Sequence, residues 1–235
     1  MRKLIVFLMS IFYFVCLHAE EFTDEQIFTK ILRCYDYCHH EAMLSGLNRV
    51  MRQINYDTNR LVRVIGKGIE NEGLHKRRCM LNTLRVYGDE TAIPIFYNHI
   101  LDTNCMYQAV WGVLAHEGLT SNSVMKISEQ IQRFKDTQPA YNAFGVMMNY
   151  ASKEKDEDIR RLAVNEGIVY ATKNRDRTEI VDKLLMEADE TYRLSKRRLN
   201  VLRSVKAIGL TKWNKEFVEK VIKELEAFPE EKLSE

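Results

Sequence analysis

The stretch of sequence that decides the fold reads LRVYGDETAIP, from Leu84 to Pro94. Apolar residues recur at intervals of three and four on both sides of it, which is the spacing of an amphipathic helix. Gly88 is predicted to end the first helix in the left-handed conformation, and Asp89 to cap the second. Pro94 falls in the first turn of that second helix, where a proline is tolerated. The stretch therefore predicts a helix, a tight break and another helix.

The rest of the chain also favours helices. It has only three prolines and ten glycines in 235 residues, far fewer than the many turns of a β-sandwich or barrel require. Amphipathic helical segments are predicted at residues 23–33, 37–54 and 58–71, and the first opens with a capping-box pattern at Thr23. These features predict an all-α protein.

The break at Gly88 resembles the turn of a known repeat. The stretch from Leu84 to Pro94, with Asp102 and Ala109 downstream, is similar to a HEAT-like repeat of the armadillo/HEAT class, in which a helix pair turns at Gly-Asp-x-x-Ala-Ile-Pro. The likeness is good over residues 77–117. It implies an α-α superhelix, a solenoid of stacked helix pairs whose usual role is to present a surface to partner proteins.

A second signal extends the repeat interpretation along the chain. The tripeptide Gly-Leu-Thr occurs at residues 118–120 and again at 209–211. Gly118 follows Gly88 by 30 residues, and Gly209 follows Gly118 by 91, close to three such periods. We therefore expect about four to five repeats. The predicted organisation is a signal peptide at 1–19, N-terminal helices at 20–73, a HEAT-like repeat region at 74–228 and a frayed tail at 229–235.

The first residues have the layout of a secretory signal. Arg2 and Lys3 precede an apolar run over residues 4–16, and the small residue Ala19 stands before an acidic pair. The run is shorter than the roughly 20 residues that a membrane-spanning helix needs, so no integral membrane segment is expected after cleavage. Lipidation at Cys16 is a variant that the bulky residues before it disfavour. We expect cleavage after Ala19 and a periplasmic or secreted protein.

Charge excludes one class of partner. The chain has 35 basic and 33 acidic residues, and loss of Arg2 and Lys3 with the signal leaves 33 of each. A nucleic-acid-binding protein usually carries a basic face, whereas the basic clusters here, at 76–78, 160–161 and 196–198, are dispersed. We expect no nucleic-acid partner.

Four cysteines remain after the predicted cleavage: Cys34, Cys38, Cys79 and Cys105. An even number in an oxidising compartment favours two structural disulfides, and the sequence leaves all three pairings open.

The alternative is a metal-binding or redox protein centred on Cys34, Cys38, His39 and His40, because thiolates beside imidazoles suit soft metals. Cys-x-x-x-Cys-His has one residue more than the usual haem-attachment motif, which disfavours haem. No cofactor is expected.

No catalytic set is evident. The chain lacks a Gly-x-Ser-x-Gly elbow, a phosphate-binding loop and a dinucleotide fingerprint, and no histidine lies four residues after His116 to complete a zinc-protease motif. An enzyme whose groove is bounded by long helices within residues 157–207 is a third alternative.

The favoured prediction is a non-catalytic scaffold that binds a protein or peptide. Tyr107, Tyr141 and Asn142 are the candidate partner-surface residues, whereas Trp111 is expected in the core.

Overall fold

The computed structural model describes residues 22–37, 39–134, 137–229 and 232–234. The predicted signal peptide and Cys38 lie outside these ranges. Within them the chain forms twelve α-helices and no strand beyond one isolated bridge between Ser195 and Ser234, which confirms the all-α prediction. The helices are α1 (Asp24–Tyr35), α2 (His40–Gln53), α3 (Thr58–Gly68), α4 (Leu74–Tyr87), α5 (Ile93–Ile100), α6 (Met106–His116), α7 (Ser121–Arg133), α8 (Gln138–Ala151), α9 (Glu157–Lys173), α10 (Thr178–Ala188), α11 (Lys196–Ile208) and α12 (Lys212–Glu226).

The chain divides into two compact units, with the boundary between Asn71 and Glu72. In the first unit, α1 packs against both α2 and α3. The predicted capping box at its start is present, because Thr23 Oγ1 accepts from the Gln26 amide at 3.2 Å and Gln26 Oε1 accepts from the Thr23 amide at 2.8 Å. Ile27 and Ile31 point from α1 into the core of this unit.

In the second unit the helices form two rows. In the even row, which comprises α4, α6, α8, α10 and α12, each helix packs against the next member. In the odd row α7, α9 and α11 pack in the same way, and α5 packs on α6. Consecutive helices from α5 to α12 also touch, so the chain alternates between the rows.

Glycines allow close approach between the rows. A Cβ on Gly112 of α6 would lie 2.2 Å from the ring of Phe96 of α5, which is fully buried. A Cβ on Gly167 of α9 would lie 2.9 Å from Leu185 of α10. Glycine is therefore required at Gly112 because the neighbouring aromatic ring occupies the space of a side chain.

The break between α4 and α5 is only partly as predicted. Pro94 lies in the first turn of α5, as predicted. Asp89 is also a cap, but it caps the 3₁₀ turn Glu90–Ala92 rather than α5 itself: its carboxylate accepts from the Thr91 amide at 2.9 Å, and the N-cap of α5 is Ala92. The left-handed prediction for Gly88 is wrong, because its φ is −78°. Glycine is needed there for a different reason: a Cβ would lie 2.4 Å from the Leu84 carbonyl oxygen.

The two Gly-Leu-Thr tripeptides supply the left-handed glycines instead. Gly118 has φ +76° and Gly209 has φ +105°. Residues other than glycine rarely adopt this region of backbone conformation. In each case the threonine two residues later is the N-cap of the next helix, Thr120 for α7 and Thr211 for α12.

Within the predicted tail, residues 232–234 contact the rest of the second unit. The Ser234 amide donates to the Leu194 carbonyl and the Ser234 carbonyl accepts from the Lys196 amide, both at 2.9 Å. Leu233 is buried in a cluster that includes Leu202 of α11 and Val218 of α12. Residues 232–234 are therefore held by backbone hydrogen bonds and by burial of the Leu233 side chain.

Candidate functional site

The predicted partner-surface residues meet in one groove on the even row. This aromatic groove has a volume of about 370 Å³ and is bounded by α6, α8 and α10. It is lined by Tyr107, Trp111, Tyr141, Asn142, Gly145, Val146, Asn149, Tyr150 and Leu184. The three residues proposed from the sequence, Tyr107, Tyr141 and Asn142, thus line the same depression.

Helical periodicity explains why these side chains share a surface. Tyr107 and Trp111 are four residues apart on α6, while Asn142 and Asn149 are two turns apart on α8. The opposite faces of the same helices carry fully buried apolar residues, among them Val113 and Phe144. Burial of those faces leaves the aromatic and amide side chains on the outside.

Gly145 keeps the middle of the groove open. A Cβ at this position would have only one neighbour within 4 Å, the Cδ1 atom of Leu184 at 3.9 Å. A longer side chain there would extend into the space between α8 and α10.

Trp111 lies in the wall of this groove, so its predicted place in the core is wrong. Its side chain is partly exposed, and its ring meets the Tyr107 ring edge-on with centroids 5.5 Å apart. The guanidinium carbon of Arg85, on α4, lies 3.8 Å from the centroid of the Trp111 ring. The indole is therefore held in a fixed orientation by a cation on its face and an aromatic ring at its edge.

A second arginine stacks at the other wall of the groove. The guanidinium carbon of Arg177 lies 4.9 Å from the centroid of the Tyr141 ring, and the same guanidinium donates to Gln138 Oε1. Gln138 Nε2 in turn donates to Asn142 Oδ1 at 2.6 Å. This chain of contacts orients Tyr141 and Asn142 together.

The groove is rich in hydrogen-bonding groups that the protein does not use. Within the described part of the chain, the hydroxyls of Tyr107, Tyr141 and Tyr150 and the amide of Asn149 have no hydrogen-bond partner. None of the lining residues is acidic. The surface can therefore offer aromatic stacking and unpaired hydrogen-bonding groups to a bound chain.

A larger depression of about 680 Å³ lies on the odd-numbered helices, around Tyr97, Glu117 and Lys126. The Tyr97 hydroxyl donates to Glu117 at 2.7 Å, and Lys126 Nζ lies 4.5 Å from the Tyr97 ring centroid. Burial, with the Glu117 hydrogen bond, raises the pKa of Tyr97 well above its usual range. Because these groups partner one another, they fix the local structure rather than offer free binding groups.

Three of the four cysteines are described, and each is a free thiol, so a disulfide among Cys34, Cys79 and Cys105 is not formed. Cys34 Sγ donates to the Lys30 carbonyl at 3.2 Å, and Cys79 lies 3.8 Å from His75 Nε2. Each of these thiols faces a neighbour on its own helix rather than another cysteine. Pairings that involve Cys38 fall outside the described residues.

The three described thiols also ionise less readily than ordinary cysteines. Burial raises the pKa of Cys34 and of Cys79, and burial beside Asp102 raises the pKa of Cys105 to about 12. A thiol that stays protonated at neutral pH is a weak nucleophile and a weak metal ligand.

The proposed metal cluster is not assembled by its described members. Cys34 is buried, whereas His39 and His40 are exposed. Over the residues described here, no group of three or more histidine, cysteine or acidic side chains could hold a metal ion.

None of the helices in the described ranges is long and apolar enough to cross a membrane. In comparisons with known proteins, no protein-family model, curated protein or solved structure matches the chain.

Proposed function

We propose that this protein is a non-catalytic helical-repeat scaffold whose aromatic groove binds a segment of a protein or peptide. The observation that carries the proposal is the convergence of Tyr107, Trp111, Tyr141 and Tyr150 on one open surface. Tyrosine and tryptophan give large contact areas at low cost in conformational entropy, which is why they dominate binding surfaces.

The fold part of the proposal is a HEAT-like α-α superhelix. It is supported by the serial packing of α4, α6, α8, α10 and α12, and by the parallel series of α7, α9 and α11. In this proposal the repeats are the four helix pairs from α4 to α11, closed by α12. The glycine spacing supports them only in part, because one helix pair lies between Gly88 and Gly118 but five helices lie between Gly118 and Gly209.

The cellular part of the proposal is export. Residues 1–19 have the charge, apolar run and small residue of a signal peptide, and we place the mature protein in the periplasm or outside the cell. Free thiols at Cys34 and Cys105 are compatible with that location, because burial protects them from oxidants, and Cys79 is half-buried.

The binding proposal is tested by selecting ligands from a random-peptide display library on the mature chain. Selected peptides are expected to lose about tenfold or more in affinity for Gly145→Leu, because leucine fills the groove between α8 and Leu184. The matched control is Gly145→Ala, whose added methyl group is accommodated at 3.9 Å. Its affinity should stay within about twofold of the wild type.

Circular dichroism and thermal unfolding establish that both variants fold. Peptides that bind Gly145→Leu as tightly as the wild type would locate binding elsewhere. A library that yields no specific peptide would count against the binding proposal itself.

A further inference from the structure

We infer that the segment bound in the aromatic groove is an acidic peptide, with an apolar or aromatic centre flanked by Asp or Glu side chains. This inference rests on the proposed function of the groove and specifies the chemistry of its partner.

The first observation concerns the two cations beside the groove. Arg85 stacks on Trp111 and Arg177 on Tyr141, and neither guanidinium has a carboxylate partner among the residues that the structure describes. The Nε atom of Arg85 is buried without any hydrogen-bond partner. Both arginines are therefore positively charged groups with unused donors.

Some arginines in the same unit are paired with acids, whereas Arg78 and Arg160 donate to backbone carbonyls. Arg77 lies 3.0 Å from Asp102, and Arg198 contacts Asp182 at 2.7 Å with both side chains buried. Arg85 and Arg177 differ from these arginines because each is held on an aromatic ring that lines one groove, without a carboxylate partner among the described residues. A carboxylate is the group that a guanidinium fork binds most specifically.

The lining of the groove points to the same ligand. It holds no acidic side chain that would repel a carboxylate, and the Tyr107 and Tyr150 hydroxyls can donate to one. Apart from Asn142 and Asn149 the lining is aromatic and apolar, which suits Leu, Phe or Tyr side chains in the centre of the peptide.

Arginine beside aromatic rings is also the composition of a single-stranded nucleic-acid site. Such a site needs a basic path along the phosphate backbone, whereas Arg85 and Arg177 are two separate cations on a chain with nearly balanced charge. The observations therefore favour a peptide, and the test below includes a single-stranded nucleic acid as a competing probe.

The test uses acetylated, C-terminally amidated octapeptides with Leu, Phe and Tyr randomised at the central positions. Three pools are compared, in which both ends of each peptide carry Glu-Glu, Gln-Gln or Lys-Lys. Oligothymidylate is the nucleic-acid probe. Binding to the Trp213→Phe variant is followed by the emission of Trp111, which is then the sole tryptophan. The Glu-Glu pool should bind about tenfold more tightly than the Gln-Gln pool, and more weakly as salt rises.

In the double variant Arg85→Gln/Arg177→Gln, the affinity of the Glu-Glu pool should exceed that of the Gln-Gln pool by no more than about twofold. Because these arginines also orient Trp111 and Tyr141, the Gln-Gln pool should lose some affinity in that variant, but less than the Glu-Glu pool loses. The ratio of the two affinities therefore separates loss of charge recognition from loss of the groove. The charge-matched control is Arg133→Gln on α7, which removes a cation that is paired with Glu129 and should leave the advantage intact.

Equal affinity of the Glu-Glu and Gln-Gln pools for the wild type would overturn the inference and leave the groove function standing. Preference for Lys-Lys, or tighter binding of oligothymidylate than of any pool, would also overturn it. If no probe binds, the inference and the proposed function both fail.

Discussion

Hydrogen-bond donors lower the pKa of the Glu117 carboxyl group. Burial raises the pKa of its carboxyl group, but hydrogen bonds from Tyr97, Asn122 and Thr120 outweigh burial, so the pKa lies below its ordinary value of 4.5. A pKa that is depressed in the folded state contributes stability above the unfolded value, and that contribution is lost as the pH falls through the folded value.

Glu117→Gln is therefore expected to lower the free energy of unfolding by about 1 kcal/mol at neutral pH, a figure that allows for partial solvent screening. The difference from the wild type should shrink as the pH falls below 4.5, because the wild-type carboxyl is then protonated too. Urea unfolding between about pH 7 and pH 3 measures it.

Glu129→Gln, which removes an exposed carboxylate paired with Arg133, is the control and should give a smaller difference. A Glu117→Gln deficit that stays constant over the whole pH range would contradict the proposed cause.

At the scale of helices, the fold depends on where glycine permits contact between neighbours. Gly112→Ala places a Cβ 2.2 Å from the Phe96 ring and should cost about 1–3 kcal/mol of stability through overpacking. Gly145→Ala meets nothing closer than 3.9 Å and should gain about 0.5–1 kcal/mol from helix propensity. Urea unfolding of the two variants should therefore give changes of opposite sign.

Equal destabilisation by both substitutions would mean that α8 is not packed as described. Gly112→Ala and Gly145→Ala make the same chemical change within a helix, so a difference in their stabilities reports on the packing around each glycine.

Features set by adjacent residues could be predicted from the sequence. The Thr23 capping box and the Asp89 cap depend on residues two or three positions away, and both are present. The left-handed geometry assigned to Gly88 failed, because its role is set by the nearby Leu84 carbonyl. A glycine can end a helix in either way, and the sequence pattern is the same for both.

Features set by distant residues could not be predicted. The sequence predicts Trp111 in the core, because α6 is apolar on much of its surface. The positions of α4 and α8 are needed to show which face of α6 is open to solvent. Leu233 is buried against residues of α11 and α12 that lie far back in the sequence. The sequence predicts part of the groove, namely Tyr107, Tyr141 and Asn142. It does not predict the contributions of Arg85 and Arg177, which depend on contacts between different helices.

For the whole molecule, the all-α class follows from composition and periodicity, while the superhelix and export remain predictions. The two compact units divide after Asn71, and the groove lies wholly within the second. Its residues come from α6, α8 and α10, which are brought together by the packing of alternate helices. A binding surface of this kind exists only when the even row is assembled, so peptide binding and folding of the second unit should be lost together.

The most direct test of the binding account is a ¹H–¹⁵N correlation spectrum of the mature protein titrated with a display-selected peptide. The chain contains two tryptophans, so the indole N–H region reports on Trp111 in the groove and on Trp213, which is 89% exposed at the start of α12. We expect the Trp111 indole signal to shift saturably, with the affinity measured for the peptide, while the Trp213 signal stays in place. A bound peptide that shifts Trp213 alone, or neither indole, would contradict binding in the aromatic groove.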